Sequence, residues 1–426
     1  MPRILVLIAE FYPYRNATAN CIINICERLK AIDDRFLFDV LCFKTNADDP
    51  NESVYGVFNI KRVTKLSLLD KNSYFDYVQR SKELFVSKGF KKILFLLAKI
   101  GHKVFQRFSL KPWRSVYKSF YKRLFSLCRK NEYDNVIAVS GNYSVAYSAA
   151  LFKHNDNHIM NLTIYLTDPL IGNPLFAHKS KQRIKKDFDF ICNMSDRLVV
   201  TPVIYEELRD KTKSIPIEFP SFFEHEEYIN SPKNVVFNKK TINFLYTGTF
   251  YPRIRDPWYL MELVKNLDDR YVLHICGTIG RHFYRKYRSL IEQGRLIIHN
   301  NLPQQELYNA ICDCDFLVNI GNSTNSMLPS KLISYISSGK PIINIVKIKN
   351  CPTMEYLSNY SEHVNLFEYE PISFGLSSLK AFLSREHKRI NKDIIFSTYR
   401  HCTTEFITSQ FYNFVFTDNQ THRRFC

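Results

Sequence analysis

The sequence predicts an α/β protein of two doubly wound domains, each a parallel sheet between helices. Three observations point there. At 426 residues the chain exceeds what one ordinary core absorbs, so two domains of roughly 200 residues are expected. Strand-length apolar runs alternate with segments of helical period along most of its length. The alternation loosens once, at "SIPIEFPSFFEHEEYINSPKN", where prolines and mixed polarity mark a connection, and then begins again.

The first series opens with "RILVLIA", a strand. "TANCIINICERLKAI" follows as a helix with Cys21, Ile22, Ile25, Cys26 and Leu29 on one side. "FLFDVLCF", "DNVIAVSG" and "NLTIYLTDP" read as strands, the last two separated by the helix "SVAYSAALFKH". "KQRIKKDFDFICNMS" reads as helix, "DRLVVT" as strand and "PVIYEELRDK" as helix. The second series runs through "INFLYTGTF" (strand into turn), "DPWYLMELVKNL" (helix), "YVLHICG" (strand), "RHFYRKYRSLIEQG" (helix), "LIIHNN" (strand) and "QQELYNAICDC" (helix). The expected division is a first domain over 1–215, a linker over 216–237, a second domain over 238–395, and a C-terminal helix over 396–426 that returns towards the first.

"MLPSKLISYISSGKP" sits between two apolar runs, "DFLVNI" and "IINIV". Ser330 is a candidate N-cap behind Pro329, and Leu332, Ile333, Tyr335 and Ile336 form an apolar stripe. Gly339 suits a left-handed stop and Pro341 forbids continuation. The result is strand, loop, helix, strand, a parallel βαβ unit. Its helix start faces the C-terminal edge of the sheet, where ligands bind. Lys331 there favours an anion, most simply a phosphate. An ordinary surface helix with a solvated lysine has the same local pattern.

Composition narrows the function classes. Eleven cysteines are scattered, with Cys312 and Cys314 the only close pair and no spacing that suggests zinc. Free thiols in a reducing cytosol are expected, without metal. The apolar run Ile4 to Ala9 ends at Glu10, too short for a signal-peptide core. No apolar run approaches the ~18 residues of a membrane span. Asn16-Ala17-Thr18 matches a glycosylation acceptor, which carries little weight without a secretion signal.

Net charge is +18, and residues 84–131 carry 13 Lys or Arg with no Asp or Glu. Lys99, Lys103 and Arg107 recur every four residues beside an apolar stripe of Ile93, Leu97, Ile100, Val104 and Phe108. After Pro112, Arg114, Lys118 and Lys122 face one way and Trp113, Val116, Tyr117, Phe120, Leu124 and Cys128 the other. Such basic amphipathic helices suit an anionic membrane surface, at ~1 kcal/mol per basic group. Packing of the apolar stripes on the first domain is the alternative. Nucleic acid is disfavoured, because no recognisable binding motif accompanies the charge.

Taken in order, these segments resemble the GT-B glycosyltransferases, specifically the group-1, family 4 type of bacterial surface-polysaccharide synthesis. The resemblance spans nearly the whole chain. It rests on "ILVLIAEFYPYRNATANCIINICERL", "TIYLTDP", "MSDRLVVTPVIYEEL", "FLYTGTFYPRIRDPWYLMELV", "LHICG", "LPQQELYNAICDCDFLVNI" and "PSKLISYISSGKPII". It implies two Rossmann-like domains with a deep cleft between them and a nucleotide-sugar bound by the second. The Pro329-Ser330-Lys331 helix start, Gly248, Arg253 and Arg255 are implied to hold the donor diphosphate. Asn16, Ala17 and Thr18 stand where the family commonly has a glycine pair, and Asp168 ends a strand facing the cleft. Arg253, Lys331 and Asp168 are the candidate catalytic residues. Gly141 and Asn142 are weaker candidates at a strand end. The family's two glutamates around the motif are missing: Ser326 and Ser334 occupy their positions. A serine hydroxyl can bond a ribose without the strength of a carboxylate.

The implied activity is transfer of a sugar from a nucleotide-diphosphate donor to a lipid-linked or saccharide acceptor, with retention, at the cytoplasmic face of a membrane held through residues 84–131. No metal is required, and no Asp-x-Asp motif is present. The missing glutamates suit an alternative, a catalytically silent homologue acting as a membrane-associated assembly factor. A dinucleotide-dependent oxidoreductase is disfavoured, since no Gly-x-Gly-x-x-Gly follows the first strand.

Overall fold

The computed structural model describes residues 2–12, 16–46, 48–64, 114–140, 143–156, 161–171, 173, 181–208, 214–223, 235–251, 254–277, 279–299 and 302–417. The chain divides into two compact units, Met1–Glu218 with Ile407–Cys426, and Phe219–Phe406.

The first unit runs β1 (Arg3–Leu7), α1 (Ala17–Ile32), β2 (Leu37–Phe43), β3 (Glu52–Tyr55), β4 (Phe58–Val63), α2 (Arg114–Lys130), β5 (Asn135–Ser140), α3 (Tyr143–Asn155), β6 (Leu162–Leu166), α4 (Lys181–Met194), β7 (Arg197–Val200), α5 (Pro202–Leu208) and β8 (Ser214–Pro216). Its sheet has the order β3-β4-β2-β1-β5-β6-β7-β8, parallel except for the β3–β4 hairpin. The central strands β1, β5 and β6 are apolar on both faces, as a parallel sheet covered by helices requires.

The apolar side of α2 lies in this core. Phe120 and Leu124 are fully buried, with Leu127 and Cys128 beside them, and Phe43 meets Phe120 at 5.0 Å. For the described part of this stripe the alternative placement holds: Phe120, Leu124 and Cys128 pack on the first domain. Lys122 remains exposed, and Arg123 pairs with Glu52 at 2.7 Å. Residues 84–113 lie outside the described residues.

The second unit continues with β9 (Ile242–Thr247), α6 (Trp258–Lys265), β10 (Tyr271–Cys276), α7 (Arg281–Lys286), α8 (Arg288–Glu292), β11 (Leu296–His299), α9 (Gln304–Asp313), β12 (Phe316–Ile320), α10 (Lys331–Ser338), β13 (Ile342–Val346), α11 (Pro352–Leu357), β14 (His363–Phe367), α12 (Ile372–Leu383) and α13 (Lys392–Thr398). The sheet order is β11-β10-β9-β12-β13-β14, parallel throughout. The segment expected as one helix over "RHFYRKYRSLIEQG" is two, broken at Tyr287, whose ring is buried and whose φ is −114°. The chain rejoins the first unit at Ile407, within α14 (Thr404–Tyr412). There Phe411 meets Tyr165 at 6.4 Å, while Tyr412 and Phe416 meet Phe36 at 6.3 and 5.4 Å.

Among the described residues, ten cysteines are free thiols and all are buried. No helix among them is long and apolar enough to cross a membrane.

Candidate functional site

In a doubly wound sheet the strand order reverses once, and loops leaving the C-terminal ends of the two strands at that point open a crevice. In the second unit those strands are β9 and β12. After β9 the chain turns at Gly248; after β12 it passes through Gly321 and Asn322 into α10.

Gly248 has φ +108°, which only glycine adopts without strain, and a Cβ there would meet nothing within 4 Å. The residue type is therefore set by the backbone, and the space beside the turn is open. Its N–H donates to the Cys276 carbonyl at 2.8 Å. Gly277, just past β10, is needed for a different reason: a Cβ would collide with the Gly248 carbonyl.

Lys331 begins α10. Its Nζ donates to the Thr247 carbonyl at 2.8 Å and lies 3.4 Å from the centre of the Tyr246 ring and 5.9 Å from that of Tyr335. The Tyr335 hydroxyl accepts from the Thr247 N–H at 2.9 Å and shares a hydrogen bond with the Thr247 hydroxyl at 3.0 Å, which ties α10 to the end of β9. Desolvation, reinforced by the Arg255 charge, holds the Lys331 ammonium well below the usual lysine pKa.

Arg255 donates through Nε and Nη2 to the Asn322 side-chain oxygen at 3.1 and 2.9 Å. Asn322, 1% exposed, donates in turn to the Met327 carbonyl at 3.0 Å, so the guanidinium is locked to the loop that leads into α10. Burial pushes the Tyr246 phenol up to about 12, against the pull of Arg255. Among the described residues no carboxylate pairs with Lys331 or Arg255. Two cations thus sit side by side with donors to spare, an arrangement that lowers its free energy by taking an anion.

The serines of the motif behave differently from the expectation. Ser330 already has helical backbone angles, φ −55° and ψ −30°, and its hydroxyl caps nothing. A capping residue reaches its N2 or N3 amide from extended backbone. The start of α10 instead tightens on itself: the Leu332 and Ile333 N–H groups donate to the Pro329 and Ser330 carbonyls at 2.9 and 3.3 Å. Ser334 donates to the Ser221 carbonyl at 2.7 Å, which commits its one proton to main chain. Ser326 bonds Thr324 at 2.8 Å. Gly339 caps the helix in the left-handed conformation, φ +72°, as expected.

In the first unit the side chain of Asn16 caps α1 by accepting from the Ala19 N–H at 2.8 Å, and donates to Glu10 at 3.1 Å. Ala17 is exposed. Thr18 and Thr167 share a hydrogen bond of 3.1 Å, and Thr167 lies 3.3 Å from the Ser140 carbonyl. These residues knit the C-terminal ends of β1, β5 and β6 together. Asp168 follows Thr167; its carbonyl accepts from the Tyr143 hydroxyl at 2.7 Å. Its charge adds to burial in raising the Tyr143 and Cys21 pKa values. Arg253, Gly141 and Asn142 lie outside the described residues.

Sequence reasoning missed Tyr246 and Asn322, which hold the two cations. It read Tyr335 only as part of an apolar stripe. It also missed a buried polar chain across β9, β10 and β11. Asn243 donates to the Asn238 and Thr241 carbonyls and to Asp315, which fixes its amide orientation. Its oxygen faces His274 Nε2 at 3.2 Å, so that nitrogen carries the proton. His274 Nδ1 then accepts from His299 Nε2 at 3.0 Å. Burial, then His299, pulls the His274 pKa down to about 4.

No protein-family model matches the chain, and no curated protein matches it. Solved structures do. A sucrose-phosphate synthase from Thermosynechococcus elongatus is similar with TM-score 0.62 and 11% identity, covering 100% of this chain and 99% of that one. Anabaena Alr3699/HepE in complex with UDP is similar at TM-score 0.59 and 11% identity, over 97% and 99% of the two chains. WaaG, a glycosyltransferase involved in lipopolysaccharide biosynthesis, is similar at TM-score 0.59 and 9% identity, again over 97% and 99%. The likeness is one of fold, and the chain has the paired doubly wound sheets of the GT-B glycosyltransferases.

Proposed function

We propose that the protein is a nucleotide-sugar-dependent glycosyltransferase that holds the donor diphosphate at the start of α10. One observation carries this: Lys331, desolvated against Tyr246 and beside Arg255, has no carboxylate partner among the described residues and stands at a helix start on the switch point of the sheet. As the sugar departs, negative charge grows on the diphosphate. Lys331 and Arg255, fixed in advance at the positive end of α10, stabilise that charge as it develops. The open Gly248 turn leaves room for the phosphates to approach the backbone. An approaching dianion favours the ammonium form of Lys331 against that desolvation.

The finer reading follows the family resemblance. The sugar passes with retention, by front-face attack within an ion pair, to a saccharide or lipid-linked acceptor of bacterial surface-polysaccharide synthesis. The fold neighbours support it in part: HepE was solved with UDP, and WaaG is involved in lipopolysaccharide biosynthesis. The basic groups of 84–131, of which Lys122, Arg129 and Lys130 are described and exposed, serve a peripheral site on the inner face of the membrane. A second reading has its own observation. Ser334 gives its proton to Ser221 and offers no carboxylate to a ribose, which favours a silent homologue that assembles with other proteins. Release of UDP or GDP from a panel of nucleotide-sugars separates the two. Turnover with at least one donor supports the enzyme; nucleotide binding without release of product from any donor supports the silent homologue.

A further inference from the structure

Trp258 is one of two tryptophans in the chain, yet it is 41% exposed. Its ring is nevertheless fixed. The indole N–H donates to Glu368 at 3.1 Å, and Glu368 is held by Lys347 at 2.6 and 2.7 Å, a pair with only 8% and 14% of its side chains exposed. An exposed aromatic face locked by a buried ion pair is a preorganised platform. Trp258 lines an open pocket of about 450 Å³ together with Glu262, Asn266, Lys286 and Ile372. That volume lies within the range of small-molecule sites. Tyr369, next to Glu368, is 46% exposed, and Phe374, two residues past Ile372, is 62% exposed.

The polar side chains are as informative as the ring. Glu262 accepts from Lys265 at 2.7 Å through one oxygen, which leaves the other available, and Asn266 is anchored by its Nδ2 to the Glu262 carbonyl at 2.8 Å. The pocket therefore offers a carboxylate, an amide oxygen and an ammonium around one flat ring, with one negative and one positive charge among its lining residues. Hexose rings present a C–H face to an aromatic plane and hydroxyls at the rim. None of the lining residues belongs to the Lys331–Arg255 cluster.

We propose that this pocket is an additional saccharide-binding site for a neutral, hexose-based oligosaccharide. It goes beyond the donor reading and stands on its own side chains. The Trp113→Phe background leaves Trp258 as the sole emitter, and it is titrated with linear hexasaccharides of glucose, galactose, mannose and N-acetylglucosamine. A saturable emission change is expected with at least one of them. Glu262→Gln is expected to weaken that hexasaccharide about fivefold, the loss of one net hydrogen bond. The Glu262→Gln variant should keep its melting temperature and its calorimetric affinity for UDP. UDP binding on the same sample also separates failure here from failure of the donor site. An unresponsive Trp258 throughout the panel overturns the proposal. So does a titration that Glu262→Gln leaves unchanged, or a response confined to anionic phosphatidylglycerol vesicles.

Discussion

Replacing Lys331 by methionine separates a functional lysine from a structural one. Methionine keeps all but the last atom of the side chain packed against Tyr246 and Tyr335 and removes the charge. Two opposite effects follow. In the free protein the folded pKa of Lys331 lies below its unfolded value, so the unfolded chain binds more protons and stability falls as pH drops from 10.5. Burying the ammonium beside Arg255 is a cost to the fold. The cation–π contact with Tyr246 and the hydrogen bond to Thr247 offset part of it. A net gain of about 1 kcal/mol on substitution is expected, or about 2–4 °C for a unit of this size. UDP binding moves the other way. A cation about 4 Å from a phosphate is worth about 4 kcal/mol at an effective dielectric of 20, before desolvation. A net loss of about 2–3 kcal/mol corresponds to roughly 30- to 150-fold weaker binding. Differential scanning fluorimetry and calorimetry with UDP read both. A variant that melts earlier and binds UDP as before would show that Lys331 is a packing element and that the diphosphate assignment is wrong.

Other consequences are independent. The His274 pKa of about 4 against an unfolded value near 6.5 means that stability is complete above pH 6.5 and declines as pH falls towards 4, by about 3 kcal/mol in total; urea melts of wild type and His274→Gln at pH 7 and 5 should show the decline in the first and much less in the second. Gly248→Ala should cost about 1–3 kcal/mol through its φ of +108° alone, since no atom blocks the added methyl, and should weaken UDP as the turn shifts. Phe120→Ala should destabilise the first unit by about 3–5 kcal/mol, because α2 is core; a change below ~1 kcal/mol would return its apolar face to the solvent side.

The sheets were legible in the sequence because parallel strands buried on both faces read as predominantly apolar runs of strand length. "VIAVS", "FLVNI" and "IINIV" are of this kind, and each is a fully buried central strand. Edge strands carry no such signal. "ESVY" mixes one buried-type residue with polar ones and is nearly all exposed, and β8 is three residues within the proline-bearing stretch. The strand β14 and the helices α11 and α12 were not read from the sequence. β14 is only partly buried, and α12, "ISFGLSSLKAFL", contains a glycine that ordinarily lowers helical expectation. That glycine is there for packing: a Cβ on Gly375 would collide with the Tyr259 hydroxyl of α6.

The site was half legible. Lys331 and Gly248 announce themselves, one by its place at a helix start and the other by a turn after a strand. Their supports do not, because Tyr246, Tyr335 and Asn322 act only once β9, α10 and the loop after β12 converge. The N-cap role of Ser330 was read from residue type and failed on backbone angle. The charge stripe of α2 was read correctly as amphipathic, yet amphipathicity does not say what covers the apolar side; here the core of the first unit does.

The most direct test of the central claim is a crystal structure of the protein with UDP. The account predicts phosphate oxygens within about 2.7–3.1 Å of Lys331 Nζ at the start of α10, with Arg255 turned towards the same group. UDP bound elsewhere, with Lys331 still donating only to the Thr247 carbonyl, would contradict it.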